Sequence, residues 1–420
     1  MSSKHVTIVG GGVIGLATAY YCAKAGHQVT LIDREPEQRT GCSFGNAGMI
    51  VPSHFIPLAA PGMLALGFKW MWNPESPFYI KPRVDFDLLA WGLRFCRAAT
   101  AARVAVAAPI LRDISLMSRA LYDSLGDTWM AAGKDIGFTR NGLLMLCKDA
   151  HTLEEEAAVA ARARDLGIPA EVLDPTSLAK RDPNVTMSAA GAVYYPKDAH
   201  LAPERLLAVL LSECQQLGVR IHWQTEWQEW KTAGGRIEAI KTSGPTITAD
   251  EFVLCGGVWS SLLAKKLGVH LPMQAGKGYS VTLKNPRQLP SLCSIFTEAR
   301  VAVTPMAGAL RVGGTMEVAG INDRVDPRRV HGILRSVPEY FPEFAISDFA
   351  GIEPWFGLRP CAPDGMPYLG RTQRWQNLTC STGHAMMGLS LAPASGKIVA
   401  DILSGHAPAV PLDLFSPDRF

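Results

Sequence analysis

A 420-residue chain that is 48% hydrophobic and 19% charged can bury a large core, which excludes widespread disorder, and its length suggests two or three domains. Its 41 Lys and Arg face 38 Asp and Glu, a net charge of +3 that leaves no electrostatic footprint for nucleic acid. Nine cysteines, an odd number with no CxxC pair, read as scattered reduced thiols of a cytoplasmic protein, and no Cys/His cluster has metal-ligand spacing.

Val6-Thr7-Ile8-Val9 is a β-favouring run that enters Gly10-x-Gly12-x-x-Gly15. A helix from Leu16 follows, closed by Gly26, and Gln28–Ile32 is a second apolar strand ending on Asp33. This is the strand, glycine turn, helix, strand and acid of a dinucleotide-binding unit. Gly10 allows the tight turn, Gly12 the approach of a pyrophosphate, and Gly15 close helix–strand packing. The free amides at the helix start suit phosphate, and Asp33 suits ribose hydroxyls. Residues 6–23 are uncharged, but the glycines and the following strand exclude a signal segment.

Cys42-Ser43-Phe44-Gly45-Asn46-Ala47-Gly48-Met49 is a small-residue loop able to wrap a planar or phosphorylated ligand. Phe55–Trp72 is apolar, broken by Pro57 and Pro61, with Phe68, Trp70 and Trp72 near its end. Burial as core is the expectation for it, and contact with a lipid surface the alternative. Phe86–Leu125 reads as two helices divided near Pro109, and Gly137–Leu146 as a hairpin turning at Asn141-Gly142. A charged amphipathic helix spans His151–Leu166, Asp174-Pro175 opens a turn, and Ala192–Tyr195 is a short strand.

The nucleotide pattern resumes with a helix over Pro203–Leu217, a strand over Val219–Trp223, and an apolar strand over Val253–Ser260 containing Gly256-Gly257. Such glycines permit backbone to approach a cofactor. Alternating strands around Tyr279–Leu283 and Leu310–Gly314 predict an antiparallel sheet. Arg359 lies among apolar and turn-forming residues, so it needs an anionic partner: a ligand carboxylate or phosphate, or Asp364 as a structural salt bridge. Finally, small residues from Ser381 to Gly396 lead into a helix through Leu403, whose free amides suit negative charge on a bound ring. His384 by itself reads as a satisfied core histidine.

SxxNAG (Ser43–Gly48), GYS (Gly278–Ser280), GLRPxxPDG (Gly357–Gly365) and GHxxxGxxLAPxSG (Gly383–Gly396) follow the fingerprint in order. Together they resemble the FAD-dependent amine and amino-acid oxidoreductases that include D-amino-acid oxidase, glycine oxidase and sarcosine oxidase. The bacterial D-amino-acid dehydrogenases are the nearest likeness, extending to the apolar stretch after NAG, the KGYS strand and a tail ending near Arg419. The resemblance implies an α/β fold with a split, Rossmann-like FAD domain (1–53, 196–268 and 351–420) of the p-hydroxybenzoate-hydroxylase type. A mixed antiparallel-sheet substrate domain would take 54–195 and 269–350.

It also implies FAD contacts at Gly10, Gly12, Val13, Ile14, Gly15, Asp33, Arg34, Ser43, Asn46, Ala47, Gly48, Met49, Trp227 and Gly256. The turn of Gly383, His384, Met387, Gly388, Leu389 and Ser390 completes the set. Arg359 matches the arginine that clamps a substrate carboxylate, with Met49, Met386 and Tyr279 beside the substrate. Glycine oxidase carries a second arginine in its GHxxxG turn, where this chain has Ala385, Met386 and Met387, so glycine is a poorer substrate expectation.

The expected activity is dehydrogenation of D-amino acids, proline-type rings among them, by hydride transfer from Cα to flavin N5. Orientation matters more than an acid or base here, because the amine lone pair supplies the push. The alternatives are an oxygen-using glycine- or sarcosine-type oxidase and a non-catalytic flavin-binding protein. A quinone or respiratory-chain acceptor is expected, as is a cytoplasmic location open to peripheral contact with the inner face of the membrane.

Overall fold

In a computed structural model, residues 3–38, 40–70, 73 and 75–420 are described. Trp72 and the Phe68 side chain, both in the apolar stretch noted above, fall outside that description. Two sheets organise the described chain. The first has six strands in the order Tyr368–Arg371, Leu378–Thr382, Glu251–Leu254, His5–Val9, Gln28–Ile32 and Arg220–His222. Its five central strands from Leu378–Thr382 to Arg220–His222 run parallel and are largely apolar, as strands covered on both faces must be. The helices Val13–Lys24, Gly388–Ser404 and Ala101–Ala131 share one hydrophobic core with this sheet.

The second sheet has nine strands, mostly antiparallel. Its path runs Trp355–Cys361, Gln274–Lys284, Ala309–Val318, Val301–Met306, Cys293–Phe296, Leu143–Cys147, Gly191–Tyr195 and Glu171–Leu173, and Phe78–Ile80 pairs beside Ala309–Val318. The helix Pro327–Tyr340 packs on one face, over Tyr279, Val281, Val312 and Val303. The other face looks toward the Cys42–Met49 loop: Ser280 Oγ donates to Gly45 O at 2.9 Å, and Arg311 Nη1 to Asn46 O at 3.0 Å. The α/β architecture expected from the sequence is present.

Several local expectations change. The break between the two long helices falls at Thr100, not Pro109. Thr100 caps Ala101–Ala131 by accepting from Arg103 N at 3.2 Å, and Asp85 caps Phe86–Ala98 through Leu88 N at 3.0 Å. Pro109 lies inside the longer helix, where its cost of about 3 kcal/mol is offset by burial of Leu111, Ile114, Tyr122 and Trp129. Gly137–Leu146 is not a hairpin. Both edges of Leu143–Cys147 are taken by Gly191–Tyr195 and Cys293–Phe296, so Thr139 bridges His200 instead. Asp174 caps the helix Pro175–Arg181, and the strand at 253 stops at Leu254, giving way to helical turns from Gly257.

The segments also cross the expected domain boundaries. Ala101–Ala131 packs with the six-stranded sheet's helices, and Trp355–Cys361 belongs to the nine-stranded sheet. Among the described residues only the run Ala385–Ser404 is long and apolar enough to cross a membrane, and 67% of it is buried inside the protein. It is a core helix. Phe55 and Ala59 are fully buried, in keeping with the core expectation for their stretch.

Candidate functional site

The glycine turn forms where three strand ends meet. An added Cβ on Gly15 would lie 1.8 Å from Gly10 O, and one on Gly10 would lie 2.5 Å from Cys255 O. Any side chain at either position forces strand and helix apart. Asp33 is fixed at the end of its strand by accepting from Gly11 N at 2.5 Å and Glu35 N at 2.8 Å. Gly12 precedes the helix without a side-chain cap, and its Cβ direction meets only Ser43 Oγ, at 3.5 Å. Ser43 Oγ accepts from Val13 N at 3.1 Å, so the second loop is tied to the helix start, with Ile14 on the next position. Arg34 stacks on Trp259, 4.1 Å from the ring centroid, and Gly256 lies just beyond Cys255 beside the turn.

Trp227 packs on Trp230 with ring centroids 5.8 Å apart and against the cluster that holds Val9 and Ile32, and its buried indole N–H has no partner among the described residues. The indole at the turn is Trp223, whose ring lies 2.8 Å from a Cβ built on Gly11, next to Asp33 Oδ2. Its strand, Arg220–His222, runs parallel to Gln28–Ile32, so both chains leave at the same edge. That pairing was the missing signal.

In the following loop, Asn46 Oδ1 accepts from Gly48 N at 2.8 Å. Gly48 has φ +73° and leads into Met49–Ile50, which pairs with Ala199–His200. Met49 is 92% buried among apolar residues that include Ala47 and Met387 as neighbours.

At the C-terminal turn the picture is mixed. Met386 is exposed, and Gly388 opens its helix without a side-chain cap. His384 is a core histidine: it is buried, burial drives its pKa down to about 3, and Nε2 meets Ser395 Oγ at 2.9 Å. Ser390 Oγ is occupied by Val51 N at 3.0 Å, and Leu389 O by Tyr122 O–H at 2.7 Å. His384 Nε2 and Ser390 Oγ are therefore each engaged by a partner within the protein.

Arg359 lies on the face of the nine-stranded sheet that looks toward the Cys42–Met49 loop. Its guanidinium lies flat on Gly278, whose added Cβ would be 2.2 Å from both Nη1 and Nη2. Only glycine leaves room there. A register shift between Lys277 and Tyr279 bulges the neighbouring strand, and Thr315 takes φ +67°, an unfavourable conformation for a β-branched residue. The bulge aims Thr315 O at Arg359 Nη1, 2.6 Å away. The titratable groups facing Arg359 are the thiols of Cys42 and Cys361, which burial pushes up to about 11 and about 12 and so keeps neutral; desolvation lowers the pKa of Arg359 although it keeps accessible surface. Asp364 is not its partner. That carboxylate binds Arg419 through Nε at 2.8 Å and Nη2 at 3.0 Å.

Tyr279 is on the wrong face. Strand alternation points Gly278 and Ser280 toward the loop and Tyr279 into the core under Pro327–Tyr340, where its O–H donates to Glu317 at 2.5 Å. It does not meet Arg359.

Residues 5–402 match the family described as FAD dependent oxidoreductase. The chain belongs to that FAD-dependent oxidoreductase family. It is 34% identical over 420 residues to the D-amino acid dehydrogenase of Bradyrhizobium diazoefficiens, covering 99% of this chain and 98% of that one. The Methylobacterium radiotolerans protein of the same name is 33% identical, with 99% of each covered. In structure the chain is similar to glycine oxidase from Geobacillus kaustophilus (TM-score 0.79, 24% identity, 100% of each chain). It is likewise similar to L-proline dehydrogenase from P. horikoshii (TM-score 0.76, 17% identity, 100% of this chain and 98% of that one). These two likenesses bear on the fold.

The residues present fit FAD. The space in front of Gly12, the capless helix start and the Asp33 carboxylate fit a dinucleotide, and the small-residue loop with the uncapped Gly388 helix fits a flat ring. Gly10, Gly12, Val13, Ile14, Gly15, Asp33 and Ser43 would hold the dinucleotide. The backbone of Asn46–Met49 and of Gly383–Gly388 would border the ring.

Proposed function

We propose that this FAD-dependent oxidoreductase oxidises the Cα–N bond of D-amino acids to an imine, which water hydrolyses; a proline-type substrate gives a cyclic imine. The observation that carries the reading is Arg359, a desolvated guanidinium with accessible surface, faced by neutral thiols and a carbonyl and, among the described residues, by no carboxylate. An amino-acid carboxylate is the planar anion that a guanidinium fork accepts. Held there with its amine unprotonated, the substrate loses the Cα hydrogen with both bonding electrons as the nitrogen lone pair closes the C=N bond. FAD, when bound, supplies the two-electron acceptor. No side-chain acid or base is required, and Thr315 O keeps the guanidinium in one orientation. The full-length likeness to D-amino acid dehydrogenases supports the choice of enantiomer.

The test is anaerobic flavin bleaching by D-alanine, D-proline, their L-forms, sarcosine and glycine, followed by reoxidation with oxygen or a soluble quinone. D-forms are expected to bleach the flavin, and quinone to reoxidise it faster than oxygen. Preferential bleaching by L-forms would overturn the assignment, and fast reoxidation by oxygen would make the protein an oxidase.

A quinone acceptor implies work at the inner face of the cytoplasmic membrane. What supports this is a stripe of exposed apolar residues, Val84, Phe86, Leu89 and Leu93, beside exposed Arg97. Such a face suits the edge of an anionic lipid surface. Replacing Phe86, Leu89 and Leu93 by serine is expected to lower co-sedimentation with anionic vesicles by about tenfold or more, with flavin bleaching unchanged. Equal sedimentation of variant and wild type would dismiss this face.

A further inference from the structure

Arg311 is a buried guanidinium, 5% exposed, on the face of the nine-stranded sheet that meets the Cys42–Met49 loop. Each of its nitrogens is engaged. Nε donates to Thr282 Oγ1 at 2.9 Å, from the residue directly opposite on the neighbouring strand. Nη2 pairs with Glu204 Oε1 at 2.6 Å. Nη1 donates to two loop carbonyls, Asn46 O at 3.0 Å and Phe44 O at 3.4 Å. Glu204 stands in the first turn of the helix Pro203–Gln216, whose buried residues share a core with those of Val13–Lys24. One side chain thus ties the sheet to the loop and to the dinucleotide half.

The loop is held in one orientation. Gly45 O, between the two carbonyls in sequence, accepts from Ser280 Oγ at 2.9 Å. Three successive carbonyls are therefore drawn to the sheet. A trans peptide is planar with its C=O and N–H opposed, so the N–H groups of Gly45, Asn46 and Ala47 turn the other way. Ala47 N–H makes no hydrogen bond among the described residues, and Asn46 Oδ1 takes the next amide, Gly48 N, at 2.8 Å. Successive backbone N–H groups on one side of a turn favour negative charge.

We infer that Arg311 is a positioning residue for the flavin: by holding Phe44 O and Asn46 O it keeps the amides of the loop, and not its carbonyls, toward the ring that the loop would border. Reduction builds negative charge on a flavin ring, so amides aimed there favour the reduced form over the oxidised one. Arg311 acts through the loop and raises the reduction potential. No substrate enters this role, so it stands apart from the D-amino-acid reading.

The experiment is made on the holoprotein without substrate. FAD release on serial dilution is followed by flavin fluorescence, and the two-electron potential by anaerobic co-reduction with a reference dye. In Arg311→Met the FAD dissociation constant is expected to rise about tenfold or more. The potential is expected to fall by about 30 mV, a tenfold change in the reduction equilibrium. Arg311→Lys keeps a charged donor for one carbonyl and should lie between wild type and Met on both readouts. Ser280→Ala loses one neutral bond to the same loop and should shift both the same way by less. Arg311→Met leaves Glu204 without its cation, so Arg311→Met/Glu204→Gln is made alongside and decides if the single variant fails to fold. Melting temperature is read on each. A wild-type dissociation constant and potential in a folded variant lacking Arg311 overturn the inference, and so does weaker FAD binding with the potential unchanged. A fall in melting temperature alone overturns it too, by making Arg311 a structural residue.

Discussion

Arg359→Ala, folded and FAD-loaded, is expected to lose about 2–5 kcal/mol in flavin-reduction efficiency, roughly tens- to thousands-fold. Arg359→Lys keeps the charge and loses the planar fork, so it falls between the two. Gly278→Ala should reproduce much of the loss with Arg359 still present, because its Cβ would stand 2.2 Å from the guanidinium. Stability should move the other way or not at all. Arg359 is desolvated with a carbonyl, Thr315 O, and among the described residues no carboxylate as its partner, so the cost relieved on removing it offsets the hydrogen bond lost. Stopped-flow reduction and thermal unfolding on the same FAD-saturated samples check both halves. Wild-type reduction efficiency in Arg359→Ala would remove the residue from the active site, and a large fall in melting temperature would make it structural.

The dinucleotide half of the site was legible because its signal is local. Turn, helix start and acid lie within residues 10–33, and the spacing of three glycines carries the geometry that Gly10 and Gly15 then show. The surroundings of the other residues depend on partners far along the chain. Ser390 is engaged by Val51, 339 residues away, and no pattern near residue 390 announces that. Tyr279 was assigned to the substrate from a motif, yet strand alternation alone separates it from Gly278, and only the bulged pairing with Gly314 shows which face is which. Trp223 and Trp227 are equally aromatic in sequence. The parallel pairing of Arg220–His222 with Gln28–Ile32 delivers the first to the glycine turn, and the second packs on Trp230. Pro109 misled for a different reason: its local penalty is smaller than the burial gained by a continuous helix.

Asp364→Ala is expected to destabilise the fold by about 3–5 kcal/mol. The sequence left Asp364 as a candidate partner for Arg359, but the structure gives it to the C-terminus. Its side chain is 1% exposed and that of Arg419 7%, joined by two parallel N–H···O bonds. Arg103 stands 3.5 Å from the same carboxylate. Arg419 also donates to Met366 O at 2.6 Å and lies over the Tyr368 ring at 4.0 Å, so the pair pins the last residues against the edge strand Tyr368–Arg371. Removing the carboxylate leaves a buried guanidinium uncompensated, which costs more than the pair's net contribution when intact. The melting temperature should therefore fall by several degrees, about 2 °C or more per kcal/mol in a chain above 150 residues. Arg419→Ala should fall less, since Arg103 remains to face Asp364, and the double variant should be milder than the sum of the two. FAD-saturated samples that keep their reduction kinetics at low temperature while melting earlier would place the pair in stability. An unchanged melting temperature in Asp364→Ala would show that the tail is not held by this contact.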